Sequence, residues 1–339
     1  NRPAGTTGEL YYDTDTDTLL TYNGTKWVAD RGEYIIVAAN DSTQAEKDSA
    51  DYVVDGDNVA GTGTIDGDQV EINNALTDAT GGKVLLLAGT YAIDATILVP
   101  NNTTLAGVGA GTVITTQFGA GTDNAIEDSG SNLTGQVVRD LTVDGSEGTA
   151  GIQRGIYFVN VGDTIAEREG GMIINTVVTG FQTAGIALNS SENNLIQGNI
   201  TSNNAGDGIY STSSASDNNT YIGNVSSNNG EDGIAITSTG QSYNTVTGNV
   251  TEGNGQNGIT ISSSTYSVVT GNTASGNTWD GIQVSGNNNT ISSNNVEGNG
   301  MMGIDVGGNN NAITGNTATA NDDGIAVTGD TATVTGNVA

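Results

Sequence analysis

A carboxylate stands before a recurring Gly-Ile pair in much of the second half of this chain. The position reads Asp207, Asp232, Asn257, Asp280, Met302 and Asp323. If the intervening segments stack as equivalent coils, Asp207 and Asp232 become neighbours in one column. Two carboxylates are enough for glycoside hydrolysis: about 5 Å apart for retention, about 6.5–9.5 Å for inversion. Asp207, Asp232 and Asp280 are therefore the candidate catalytic residues. The same column also reads as a solvated acidic edge, or as a holder of cations, because stacked carboxylates repel each other.

Aromatic residues give a second pattern. Tyr243 and Tyr266 each lie six residues before the Asn of a recurring Gly-Asn pair, which places them in adjacent coils, one above the other. Trp279 stands beside Asp280 in the coil after. A flat ring matches the C–H face of a pyranose, so Tyr243, Tyr266 and Trp279 are candidate carbohydrate-binding residues. A structural aromatic ladder is the other reading. The longer intervals around 211–220 and 237–244 add loop on the tyrosine side, where repeat proteins often build binding surfaces.

Composition removes several kinds of chemistry. The 339 residues include no Cys and no His, so disulfides, thiolates and imidazole bases or ligands are excluded. Net charge is −30, from 38 acidic and 8 basic residues, and Lys occurs only at 26, 47 and 83. Nucleic acid requires a basic footprint, so it is not an expected partner. No apolar run approaches a membrane span of ~18 residues, so membrane insertion is not expected. The acidic, Lys-poor balance fits a salt-adapted surface or a cation-loaded one. No cofactor is expected beyond structural Ca, Mg or Na/K ions on that surface. "DTDTDT" (13–18) lacks the Gly and distal Glu of a calcium loop and reads as a hairpin turn. Sequons such as Asn23, Asn102, Asn132 and Asn218 would matter on a surface, whereas Asn224 and Asn249 are expected inside.

The repeat positions all of these residues. Gly-Ile recurs at 185, 208, 233, 258, 281, 303 and 324, in steps of 21 to 25 residues. An Asn, usually after Gly, recurs at 199, 224, 249, 272, 294, 316 and 337, with a second Asn five residues later in each full repeat. Between them, "GITIS" and "NTVTG" alternate apolar and polar residues, the period of a short strand. Ile occupies the Gly-Ile column in all seven repeats. No such strand can bury its apolar face alone. Three short strands per ~22 residues predict a parallel β-helix whose coils stack at ~4.8 Å. Ile then stacks on Ile, and the Asn columns form amide ladders at inward turns. Gly before Asn supplies the positive φ of a tight corner. The 243 residues from Ile97 to Ala339 predict roughly eleven coils, about 50 Å of stack.

These repeats resemble the right-handed parallel β-helix of pectate-lyase-like proteins, in particular their Asn-rich Gly-Ile group. The segment "DGDQVEINNALTDATGGKVLLLAGTYAIDATILVPNNTTLAGVGAGTVI" (66–114) resembles the N-terminal cap of viral tail-spike β-helices, with Val70, Ile72, Ala75, Leu76 and Ala79 at helical spacing. "GELYYDTDTDTLLTYNGTKWV" (8–28) is similar to short β-hairpin modules of viral fibres. The resemblance implies an all-β solenoid with a virion-attachment-like module (1–33), a cap with a short helix (34–96) and a β-helix (97–339). It implies a viral spike or fibre at the virion surface, extracellular, binding a host-surface glycan or glycoprotein. It also implies contacts to other virion proteins through 1–33 and a homo-oligomer, most simply a trimer. A polysaccharide depolymerase and a cellular adhesin are the alternatives. Lyase chemistry of this fold uses a basic residue, and none lies after Arg168; its epimerases use a His motif, and no His exists. The last coil, at "TGNVA", has no following cap, so a continuation or another subunit is expected to cover it.

Overall fold

The computed structural model describes residues 34–54, 67–118, 123–130, 133–146, 154–162 and 170–339, together with the backbone of strands at 10–13, 18–22 and 27–29. Those three strands form an antiparallel sheet. Asp13 pairs with Thr18 where the first two strands run antiparallel; residues 14–17 of "DTDTDT" lie outside the described residues.

Three parallel sheets make up the rest. Each coil contributes one three- to six-residue strand to each sheet, in perfect rotation. Leu195–Gln197 belongs to the first sheet, Ile200–Ser202 to the second and Asp207–Thr212 to the third. The register is coil on coil: Ile209 pairs with Ile234, Ile259 with Ile282, and Val246 with Val269. All of these are fully buried. β-branched residues dominate because they fill a flat pleated layer without losing further rotamer freedom.

Two expectations shift. The second and third sheets hold ten strands each, so there are ten coils and not eleven. Parallel pairing also starts before residue 97. Gly89–Ile93 pairs with Thr112–Thr116, and Lys83–Leu86 joins Ile35–Ala38 to the first sheet. Short strands within the segment read as a cap therefore already pair with the sheets of the solenoid.

Helix α1 (Gln44–Ser49) starts with a Thr43–Glu46 capping box. Helix α2 (Gln69–Asp78) closes the apolar end with Ile72, Ala75 and Leu76, all fully buried. Asn73 extends the third sheet: its Oδ1 accepts from Leu98 N–H at 2.8 Å, and its Nδ2 donates to Thr96 O at 3.0 Å. An exposed strand edge is thereby satisfied by a helix side chain. Val70 is only half-buried. Gln69 takes the inward place, exchanging hydrogen bonds with Asp94 at 2.6 and 3.0 Å.

Asparagine ladders hold the corners. Asn224 N–H and Nδ2 both donate to Asn249 Oδ1 at 2.9 Å, and Asn224 Nδ2 also donates to Ile196 O. The second expected column does the same: Asn229 donates to Asn254 Oδ1 at 3.1 and 3.0 Å. Asn224 and Asn249, both sequon residues, are fully buried. A third ladder runs through Asn194, Asn219, Asn244, Ser267, Asn289 and Asn311. The coil signature is thus Asn-x4-Asn-x4-Asn, one amide per corner, each preceded by a residue with positive φ such as Gly223 or Asn228. The glycine of Gly-Ile has a different cause. A Cβ on Gly208 would lie 1.8 Å from Ser226 Oγ and 2.7 Å from Asn229 Nδ2. There the backbone packs directly on the ladder.

Candidate functional site

The three corners of a coil are unlike each other. The first joins the third sheet to the first sheet and carries, in successive coils, Asn193, Asn218, Tyr243, Tyr266, Asn288, Asn310 and Thr331. Every one of them has φ between 50° and 60°. Asn adopts this left-handed conformation readily, because its short amide bonds locally; other L-residues pay about 1–2 kcal/mol. Two coils place tyrosine there. The rings stack at 5.3 Å between centroids with 11° between planes. They remain 57% and 52% exposed, so burial does not account for them. Asn218 and Asn288 make the same corner on either side, so the coil itself has no need of the rings.

The polar groups beside this platform are mostly hydroxyls and amides. Ser242 Oγ and Thr265 Oγ1 are 2.9 Å apart, and Tyr266 N–H donates to Asn287 O. One coil below, Asp217 accepts from Ser242 N–H, and burial pushes its carboxyl up.

The third corner, between the second and third sheets, carries the acidic column. It is a fourth ladder. Asp232 N–H donates to Asp207 Oδ1 at 2.9 Å, Asn257 N–H to Asp232 Oδ1 at 2.8 Å and Asp280 N–H to Asn257 Oδ1 at 3.0 Å. Met302 N–H then donates to Asp280 Oδ1 at 2.9 Å. Asp207 and Asp232 are each 7% exposed. They line an open cleft of about 320 Å³ with Thr183, Tyr210, Glu231 and Gln256, floored by the third sheet at Ala235 and Thr237. The two residues stand in adjacent coils, their backbones one strand spacing, ~4.8 Å, apart. Burial, then the charge of Asp232, pushes Asp207 up to about 7. Asp232 is raised as well, by burial, against hydrogen bonds from Thr260 and Asn257 that lower it.

The structure therefore joins some predicted residues and separates others. Tyr243 stacks on Tyr266, and Asp207 adjoins Asp232. Asp280 shares the column but stands two coils beyond Asp232, outside the cleft. Trp279 does not join the tyrosines. It lies at the third corner, where its N–H donates to Gln256 O, and it is 45% exposed, one coil beyond that cleft residue. Tyr210 and Glu231 were not singled out by spacing. Tyr210 reaches the cleft because it alternates outward between Ile209 and Ser211. Among the described residues, no group of three His, Cys, Asp or Glu side chains is placed to hold a metal ion, and no helix is long and apolar enough to cross a membrane.

Three parallel sheets, inward Ile columns and corner ladders define a right-handed parallel β-helix. The family model "Right handed beta helix region" matches residues 154–311 and 216–339, more than half of the chain, and the chain belongs to that family. Comparison with curated protein sequences gave no match. Among solved structures, the chain is similar to the full-length tailspike protein 2 of the Escherichia coli O157:H7 bacteriophage CAB120. The TM-score is 0.64 at 13% identity, over 97% of this chain and 46% of that one, so this chain spans less than half of the tailspike. It is similar to ORF18 of Geobacillus virus E2, with TM-score 0.57, 15% identity and coverage of 93% and 66%. It is also similar to the Azotobacter vinelandii mannuronan C-5 epimerase AlgE6 A-module, with TM-score 0.55, 18% identity and coverage of 81% and 95%. At these identities the likeness is one of fold.

Proposed function

We propose that this chain is the shaft of a viral spike or fibre that binds a glycan or glycoprotein on the surface of a salt-adapted host. The observation that carries the reading is the Tyr243–Tyr266 platform: two half-exposed stacked rings in a backbone conformation that disfavours them. Strain retained without a packing reason marks sites selected for contact. A pyranose face lies on such rings, and the neighbouring hydroxyls and amides suit its hydroxyls. The tailspike likeness supports a virion-surface, extracellular setting, with residues 1–33 attaching to other virion proteins. A homotrimer of such shafts would present linked weak sites and gain avidity. Structural cations on the acidic surface belong to the same proposal. The test is binding of labelled protein to host cells before and after enzymatic removal of surface glycans. Binding that survives complete removal rejects the reading.

A second reading rests on the cleft. Asp207, whose carboxyl burial and the charge of Asp232 push up to about 7, suits the general acid of a glycosidase, Asp232 beside it would serve as the ionised partner, and Trp279 one coil past the cleft would stack on a neighbouring sugar. The tailspike likeness accommodates a depolymerase as well as a binding protein. Incubation with host envelope polysaccharide separates them: release of reducing ends, lost in Asp207→Asn, establishes hydrolysis.

A further inference from the structure

The charge around the candidate sites limits which glycan they can take. All eight basic residues of the chain lie at or before position 168. Residues 170–339, which form both the tyrosine platform and the cleft, contain eight Asp and four Glu and neither Lys nor Arg. The described basic residue nearest in the fold is Arg154. It lies over the Tyr157 ring, 4.4 Å from its centroid. Its strand pairs with Ala184, that one with Asp207, and the next strand precedes Tyr243, so Arg154 is three coils below the platform. At the strand spacing that is ~14 Å, beyond the ~8 Å over which exposed charges act in physiological salt. Arg139 is committed to Asp140.

Among the described residues, a carboxylate, sulfate or phosphate on a sugar at the platform would therefore meet no cation within that range. At the platform it would face Asp217 one coil below; at the cleft it would face Asp207, Glu231 and Asp232. The partners actually offered at the platform, Ser242, Thr265 and Asn287, donate to and accept from neutral hydroxyl and acetamido groups.

We infer that the glycan recognised by this chain is neutral, built of hexoses or N-acetylhexosamines, and that at low ionic strength uronate-, sulfate- and phosphate-bearing chains bind more weakly. This rests on the reading of the tyrosine platform as a glycan site. It sets the chain apart in ligand class from its structural neighbour, whose name gives mannuronan, a polyuronate, as substrate.

The experiment is an array of neutral oligosaccharides, each paired with a counterpart in which one hexose is oxidised at C6 to the uronate. The wild-type chain and the Tyr243→Asn/Tyr266→Asn variant are both tested, in ~50 mM and ~1 M salt. The expected result is variant-sensitive binding of neutral members, weakened about threefold or more per uronate at low salt, with the difference vanishing at high salt. Neutral binding itself should not change with salt. Tyrosine-dependent binding that is unchanged or strengthened by oxidation at low salt overturns the charge inference and leaves the platform reading standing. Absence of any tyrosine-dependent glycan binding overturns the platform reading, and the inference with it.

Discussion

Replacing Tyr243 and Tyr266 by Asn separates a binding platform from a structural ladder. Asn already occupies this corner in the coils below and above, as Asn218 and Asn288, with φ of 54° and 60° against 59° and 57° for the tyrosines. The substitution therefore keeps the backbone and removes the rings. Stability changes in two directions. Relief of the left-handed strain gives back up to about 1 kcal/mol per site, since Asn tolerates αL better than Tyr does. Loss of the stacked pair costs about 0.5–1.5 kcal/mol, little enlarged by burial because both rings are half-exposed. The sum lies within about 1 kcal/mol of zero, a midpoint shift of no more than about 4 °C for a domain of this size. Binding behaves otherwise: two ring contacts to a sugar, at about 1 kcal/mol each, amount to about 30-fold in affinity. Thermal unfolding followed by circular dichroism, with glycan or host-cell binding measured on the same preparations, tests both arms. A loss of more than ~2 kcal/mol in stability with unchanged binding would refute the reasoning and make the tyrosines structural.

Other outcomes follow from the buried carboxylates, the ladders and the corner glycines. Asp207 has its pKa raised to about 7 in the folded state, so the native form holds a proton that the unfolded chain releases near 4. Its protonated form favours folding at low pH, and that contribution is lost as pH rises from about 4 through about 7. Asp207→Asn should flatten this part of the stability–pH curve and be more stable than wild type at pH 8, since Asn257 already fills the same ladder position. A curve as steep as wild type would show that Asp207 is not a source of the slope. Asn249→Ala strands Asn224 N–H and the carbonyl of Tyr221, and should cost about 2–4 kcal/mol in denaturant unfolding. Gly208→Ala drives a methyl into Ser226 and Asn229 and should cost about 1–3 kcal/mol. Gly223→Asn meets nothing within 4 Å at φ 63° and should leave the midpoint almost unchanged.

The repeat made most of the fold legible. Ile columns at a fixed spacing have few ways to be buried, and amides at fixed intervals can satisfy one another only by stacking. The expected Asn columns at 199 and 204 and their successors, and the Tyr243–Tyr266 pair, follow from register alone, because equivalent residues of a parallel stack lie one strand spacing apart. The third ladder at Asn194, Asn219 and Asn244 was legible in the same way, five residues before each Gly-Asn Asn, but its break at Ser267 blurs the column. What register cannot supply is the direction around the coil. Trp279 beside Asp280 resembles a partner for the tyrosines in sequence, yet a whole strand of the third sheet lies between their corners. Nor does spacing tell a solvated carboxylate from a buried one. Asp207 and Asp232 donate nothing to the core, but their Oδ1 atoms close backbone bonds of the next coil, which draws them inward and raises their proton affinity. Sequence determined the stack; the three-sheet cross-section decided which side chains share a corner, which carboxylates lose water, and that two tyrosines occupy a conformation their neighbours leave to Asn.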